Sequence, residues 1–322
     1  MVKCKMKKLV IMTVVGVALL IAAAVLVAAR NRRRPLPPPD AHVASTPRAV
    51  QVKAVEGKDE ASAPFDAAEV SSAVAVVCGE DPATADRYEA RNDALRSIAR
   101  RRDLPKDDVA ALMAYLASTN DVLRVERMAA LKNDVMNLLR NQKPQVEGLA
   151  ELLISMFDGK AHPPVVLDYC IQHLGAMQGE LDDSARKVVR GVFVKAARQA
   201  KQPYAGTALY SLADDKSATA AQEGELRRLT VALCKPDACT SARIAAIQLA
   251  GQRGYSEVLP ILRDTLSGAH RDAVLDIVAI GSVGLLGNAG DVALLSRFSS
   301  DSRRAKAVES AIKRIGERGG DQ

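Results

Sequence analysis

Two cysteines, Cys234 and Cys239, enclose the residues Lys-Pro-Asp-Ala and form the most closely spaced pair of redox-active side chains in the sequence. A turn at Pro236 would bring their thiols together. We therefore predict a local disulfide if this part of the chain is exported to an oxidising compartment. The alternative is that both are small core residues. Cys78 and Cys170 would permit a second bridge, but each also fits a buried helical position.

The remaining titratable side chains do not form a recognisable catalytic motif. The four histidines are scattered and lie outside metalloprotease and hydrolase motifs: His42, His162, His173 and His270. Zinc is not predicted, because the histidine nearest to Cys239 follows it by 31 residues and no second ligand pair is present. We predict no catalytic, metal or cofactor site, and hence a protein that is not an enzyme.

Four glycines recur at every third position: Gly281, Gly284, Gly287 and Gly290. A phosphate-binding loop is not supported, because no strand precedes them and no Gly-Lys-Ser/Thr follows. We expect the first two to allow close helix packing and the last two to end a helix.

Four arginines lie together at the end of a predicted helix: Arg96, Arg100, Arg101 and Arg102. Cations in a last helical turn complement the helix dipole, so solvated capping is the favoured interpretation. The alternative is a docking patch for an acidic partner protein.

Residues 9–29 form an uninterrupted uncharged run flanked by lysines and arginines. A helix of 21 residues would span about 31 Å, the thickness of a bilayer core. We predict a transmembrane signal-anchor that follows a basic N-terminus of residues 1–8, with the rest of the chain outside the cytoplasm. A cleaved signal peptide is the alternative, because Val27-Ala28-Ala29 resembles a cleavage site.

The excess of basic over acidic residues is confined to the flanks of this run. Residues 1–40 contain eight of the 45 Lys and Arg and one of the 38 Asp and Glu, which leaves 37 residues of each sign beyond them. The neutral remainder gives no global field to attract a polyanion, so nucleic acid is not a predicted partner.

Residues 30–64 are rich in Pro, Ala and charge and predict a flexible linker. Beyond it the apolar residues follow helical spacing, as in Val109, Leu112 and Leu116. Aromatic residues make up only 3% of the chain, which favours helices packed through small side chains. The predicted fold is all-α, with a degenerate helical repeat region at 65–239 and clearer repeats at 240–322.

The clearer repeats align residues 242–262 with 272–295, and residues 301–320 repeat the first half. Gly251, Gly287 and Gly316 recur at separations of 36 and 29 residues, where we expect helix ends with positive φ. The last helix carries the signature best: Asp301, Arg303, Ala307, Ala311, Ile312, Ile315 and Gly316. Residues 240–318 resemble short bacterial HEAT repeats of the kind related to phycobilisome lyases.

The resemblance implies an α-solenoid that binds proteins, and it does not imply lyase chemistry. We therefore expect a membrane-anchored scaffold or adaptor that binds a partner protein through its solenoid surface. One alternative is an enzyme or enzyme-maturation factor with a site in a concave groove. A second is a structural spacer of the cell envelope.

Overall fold

A computed structural model describes residues 66–268 and 272–319, and these residues are helical, with no strand among them. They form fourteen α-helices. In chain order these are α1 Ala67–Cys78, α2 Tyr88–Ile98, α3 Lys106–Ala117, α4 Val125–Arg140, α5 Leu149–Gly159, α6 Pro164–Met177, α7 Asp183–Ala197, α8 Tyr204–Ala213, α9 Ala220–Leu233, α10 Thr240–Arg253, α11 Leu259–Ser267, α12 Ala273–Leu286, α13 Val292–Ser296 and α14 Ala305–Gly319.

The helices pack as seven consecutive pairs within the described ranges, α1 with α2 through α13 with α14. Each even-numbered helix also packs against the next even-numbered helix, in an unbroken series from α2 to α14. We call this series the second-helix row and the odd-numbered helices the first-helix row. The predicted all-α array of helical repeats is confirmed.

Local sequence signals explain where several helices begin and end. Asp182 caps α7 by accepting a hydrogen bond from the Ala185 N–H at 2.8 Å. Thr219 and Gln222 form a reciprocal capping box at the start of α9. Gly79 and Gly254, with φ of 76° and 73°, end α1 and α10 in the left-handed conformation that glycine tolerates best. These caps satisfy helix-end groups that would otherwise lack partners.

A continuous apolar core runs between the two rows, built mainly from Leu, Val, Ile and Ala. Phe157 and Phe193 are among its largest fully buried side chains. Burying one such aliphatic or aromatic side chain contributes about 1.5–3 kcal/mol, so this core is the main source of stability. The predicted stripe on α3 is confirmed in part, because Leu112 and Leu116 are fully buried whereas Val109 is only half-buried.

Small residues mediate the contacts within the second-helix row from α6 onward. A Cβ atom added to Gly284 on α12 would lie 2.7 Å from Ala311 on α14, and one added to Gly251 on α10 would lie 2.7 Å from Ser282 on α12. The same relation joins α6 to α8 and α8 to α10, because a Cβ added to Gly175 would lie 2.7 Å from Ser211 Oγ and one added to Gly206 would lie 2.9 Å from Ala245 Cβ. At Gly206, Gly251 and Gly284 the helices are therefore too close for a side chain, whereas at Gly175 the closest atom is the hydroxyl of Ser211.

Ion pairs link successive members of the first-helix row. Lys195 on α7 lies 2.6 Å from Asp158 on α5, and Arg198, directly after α7, lies 3.1 Å from Glu225 on α9. The series continues into the short 3-10 turns that precede α11 and α13, where Arg227 pairs with Glu257 and Arg263 lies 2.7 Å from Asp291.

The three glycines expected to end helices with positive φ do not do so. Gly251 and Gly316 lie inside α10 and α14, and Gly287 ends α12 with φ of −77°. Gly251 has a packing reason instead, because the next helix passes directly over it. Of the glycines at every third position, Gly284 supports close packing as predicted, whereas Gly281 faces open space.

The predicted transmembrane segment at 9–29 and the linker at 30–64 lie outside the described residues. Among the helices of the described ranges, none combines the length and apolar character needed to span a bilayer.

Candidate partner-binding face

The second-helix row presents one uncovered side. Each of its inner helices is covered by first helices on one side and flanked by the neighbouring second helices, so its exposed stripe is the remaining side. We call this side the open face. Its outward residues recur at helical spacing: Asn92 and Arg96 on α2, Asp134 and Asn137 on α4, Tyr169 and Ala176 on α6, Tyr210 on α8, Gln248 and Gln252 on α10, and Val274 and Leu285 on α12.

The open face changes character along the row. From α2 to α10 its side chains are mainly polar, and the Tyr210 hydroxyl of α8 donates a 2.7 Å hydrogen bond to Gln248 Oε1 of α10. On α12 the face is apolar, where Val274 and Leu285 are 52% and 41% exposed. A partner that covers several helices would therefore meet polar groups from α2 to α10 and apolar surface at α12.

A groove of about 240 Å³ lies on the open face between α2 and α4. Its floor includes Leu95 and Leu138, which are each 2% exposed. Polar side chains and one aromatic ring line the rest: Tyr88, Asn92, Arg96, Asp134, Asn137 and Asn141. An apolar floor with a few polar groups around it is typical of a binding site.

The charges in the groove are balanced. Arg96 is exposed and pairs at 3.6 Å with the equally exposed Asp93. Partial burial raises the pKa of Asp134, although Asn133 and the positive charge of Arg96 act in the opposite direction. Arg127 of α4 stacks over Tyr88 of the groove with its guanidinium 5.5 Å from the ring centre, and it also lies 3.4 Å from Glu89.

The predicted arginine patch is divided by the fold. Arg96 lines the groove, and Arg100 and Arg102 are exposed on the connection that follows α2. Arg101 is half-buried, with its Nε 3.2 Å from Asp103. The carbonyl of Arg101 accepts a hydrogen bond from the Gln142 side chain, which fixes this connection against the end of α4. The patch as a docking site remains a prediction, and only Arg96 of its four members lies in the groove.

The predicted Cys234–Cys239 disulfide is not formed in the structure, where the four described cysteines are free. Cys234 is fully buried, and burial raises the pKa of its thiol to about 12. Cys239 Sγ donates to the carbonyl of Gln202 at 3.3 Å. The two thiols thus have separate environments, and a bridge would require Cys239 to leave its partner.

A second cavity, of about 290 Å³, adjoins a buried polar cluster that sequence reasoning missed. Arg91 is 2% exposed and binds both carboxylate oxygens of Asp121 at 2.9 and 3.1 Å, and the Tyr115 hydroxyl donates to the same carboxylate. Despite its burial, Asp121 has a lowered pKa because the Leu123 N–H, Arg91 and Tyr115 all donate to it. Burial raises the pKa of the nearby Cys78 thiol to about 12, so it stays protonated at neutral pH.

The cations of this cluster bind the carbonyl ends of helices. Arg91 Nε donates to the Val77 carbonyl at the end of α1. Lys132 donates to the carbonyls of Leu116 and Ser118 at the end of α3. Burial lowers the pKa of Lys132 to about 8. Because helix ends and Asp121 occupy these donors, the cluster stabilises the fold. Arg91 and Asp121 lie 30 residues apart, so no local pattern could have revealed their contact.

The two described histidines are structural side chains of the core. His173 Nε2 lies 3.2 Å from Asn133 Oδ1, and its Nδ1 is buried with no hydrogen-bond partner in the described part of the chain. Burial lowers the pKa of His173 to about 3 and that of His162 to about 4. In the described ranges no cluster of His, Cys, Asp and Glu could hold a metal ion.

Comparisons with known proteins leave the family open. No protein-family model matches the chain, and no curated protein matches it. One solved structure, human deoxyhypusine hydroxylase in complex with glycerol, is similar at a TM-score of 0.32 and 13% sequence identity. The match covers 78% of this chain and 97% of the hydroxylase chain.

Proposed function

We propose that this chain is a HEAT-like helical-repeat scaffold that binds a partner protein through its open face. One observation carries the proposal: the second helices form an unbroken row whose uncovered side bears a groove and a series of exposed side chains. Repeat arrays bury their core by stacking and leave an extended surface on each side, which suits binding over a large area.

Two regions of the open face complement different parts of a partner. The polar groove between α2 and α4 offers hydrogen-bonding groups, and the exposed Val274 and Leu285 of α12 offer apolar contact area. Interfaces commonly combine an apolar centre with polar groups around it. A partner that contacts both regions would be oriented by the polar groups of the groove and would gain affinity from the apolar surface of α12.

We also propose that residues 9–29 anchor the scaffold in a membrane, with the helical array outside the cytoplasm. The support is the uncharged run of 21 residues with basic flanks. A membrane-impermeant maleimide should label an Ala232→Cys variant in intact cells to a greater extent than the parent chain. Labelling of the variant only after cell lysis would place the array on the cytoplasmic side.

Site-specific photo-crosslinking in cells tests the proposed binding face. The crosslinker replaces one of three exposed alanines: Ala99 at the groove, Ala176 on the open face of α6, or Ala232 on the first helix α9. We expect a discrete crosslinked product from Ala99 and Ala176 and none from Ala232, which is the matched control. Equal products from all three positions, or a product from Ala232 alone, would contradict the proposal.

A further inference from the structure

Two of the three side-chain amides in the groove between α2 and α4 are available to a ligand, and the third is partly engaged. Within the described ranges, the side chains of Asn92 and Asn141 make no hydrogen bond, and both line the groove. A third amide, Asn137, accepts only a long 3.5 Å contact from Arg140 and interacts with Asp134. An asparagine side chain both donates and accepts hydrogen bonds. Three such groups around one groove suit a ligand that also presents donors and acceptors together.

The charge of the groove favours a ligand without a strong net charge at this point. Arg96 and Asp134 contribute one charge of each sign, and the floor is formed by buried leucine side chains. A phosphate or a polyanion would need several donors and an excess of cations. The volume of about 240 Å³ is also below the range of about 300–1,000 Å³ that is usual for small-molecule pockets.

The distance between successive polar side chains along each wall of the groove is close to the two-residue repeat of an extended peptide. Asn137 and Asn141 are four residues apart on or directly after α4, and Asn92 and Arg96 are four apart on α2. Four residues of helix rise about 6 Å, and two residues of extended chain advance about 6.6 Å. An extended chain points equivalent backbone groups to the same side at every second residue. The polar groups on both walls of the groove recur at nearly this interval.

We infer that the groove binds a short extended segment of a partner protein, with Asn92, Asn137 and Asn141 hydrogen-bonded to the peptide main chain. One apolar side chain of the segment would lie on the floor between Leu95 and Leu138. This inference rests on the proposed function and names the chemistry of its partner. The segment runs along the groove between the two helices, so that alternate residues face the floor.

The test uses the full chain purified in detergent and a phage library of random linear eight-residue peptides as the probe. We expect enrichment of peptides that share one apolar residue and have no common charge. An Asn92→Ala/Asn141→Ala variant should bind the selected synthetic peptide at least tenfold more weakly, because two hydrogen-bonding groups are lost. The matched control is Asn120→Ala, which removes an exposed amide in the connection between α3 and α4, outside the groove and off the open face, and should bind as the parent does.

A chemical change in the peptide separates main-chain recognition from side-chain recognition. Methylation of its central backbone nitrogens removes donors without changing the sequence, and we expect a loss of affinity of tenfold or more. Failure to enrich any peptide, equal binding by the asparagine variant, or equal binding of the methylated peptide would overturn the inference. If Ala176 still forms a crosslinked product while any of these tests fails, the proposed partner binding through the open face is retained and only peptide binding in the groove is rejected.

Discussion

Successive first helices are joined by exposed ion pairs, whereas successive second helices from α6 onward touch through glycine, alanine and serine. Lys195 and its partner Asp158 are about half exposed, as their side chains retain 50% and 46% of their accessible surface. Gly206 and Ala245, in contrast, are both buried between α8 and α10. The two rows therefore hold the same array of helix pairs by different forces.

The difference has a physical consequence for the open face. Exposed ion pairs contribute about 0.2–1 kcal/mol each and weaken in salt. Close-packed contacts depend on shape and respond strongly to added volume. From α6 onward, the spacing of the second-helix row, and with it the positions of the open-face side chains on these helices, is thus fixed by the contacts that tolerate the least added volume.

The largest expected effect comes from adding volume to the second-helix row. A Cβ on Gly206 would lie 2.9 Å from Ala245 Cβ and 3.2 Å from Ala242 Cα. Gly206→Val should therefore lower the free energy of unfolding by about 3 kcal/mol, the upper end for overpacking. Urea denaturation followed by far-UV circular dichroism measures the change.

The matched control is Gly191→Val in the first-helix row. Gly191 lies on α7, and a Cβ there would have no atom within 4 Å. We expect a change within about 0.5 kcal/mol, because valine is at least as good a helix former as glycine. A similar loss in both variants would show that the two rows do not differ in packing.

The second-largest expected effect is a loss of unfolding free energy in acid, caused by His173 at the contact between α4 and α6. The pKa of His173 is about 3 in the folded state, whereas an exposed histidine has a pKa of about 6.5, so the unfolded chain binds the proton first as pH falls below about 6.5. Between pH 6.5 and 5, His173 alone should reduce the free energy of unfolding by about 1.5–2 kcal/mol.

His173→Gln keeps a polar side chain opposite Asn133 and removes the titration. The dependence of unfolding free energy on pH should be shallower in this variant, while His162, whose pKa is also lowered, continues to contribute. An unchanged slope between pH 6.5 and 5 would mean that His173 is not held neutral by burial.

The helix pairs and one of the close contacts between second helices could be predicted from the sequence. The helical spacing of apolar residues predicts the pairs, and the glycine spacing predicts close packing at Gly284. The sequence does not say which stripe of a helix faces a neighbour, so Gly281 and Gly284 look equivalent although only Gly284 contacts the next helix. The recurrence of glycine predicts a helix end at Gly251, because glycine often ends helices, but tertiary contact determines its place inside α10.

The candidate site was less predictable for the same reason. Arg96 stands out in the sequence as one of four clustered arginines, but the asparagines that line the groove come from helices about 45 residues apart and follow no local motif. Similarly, the close spacing of Cys234 and Cys239 along the chain suggests a bridge between them. It could not reveal the hydrogen bond from Cys239 to the carbonyl of Gln202. Side chains brought together by stacking leave no short sequence signal.

The smallest expected effect is in the first-helix row. Arg198→Gln removes the ion pair with Glu225, in which the arginine side chain is 66% exposed. We expect a loss of about 0.2–1 kcal/mol at low salt that shrinks when 0.5 M sodium chloride is added, since screening weakens exposed pairs. Urea denaturation at both salt concentrations measures it. A salt-independent loss above 1 kcal/mol would remove the distinction between the rows.

The most direct test of the account compares two alanine substitutions three residues apart on α12. A Cβ at Gly284 would lie 2.7 Å from the Ala311 backbone, whereas a Cβ at Gly281 would meet no atom within 4 Å. Gly284→Ala should lower the free energy of unfolding by about 1–3 kcal/mol, and Gly281→Ala should raise it by about 0.5–1 kcal/mol. Changes of opposite sign are the predicted result. Stabilisation by both substitutions would contradict the claim that small residues set the spacing of the second-helix row.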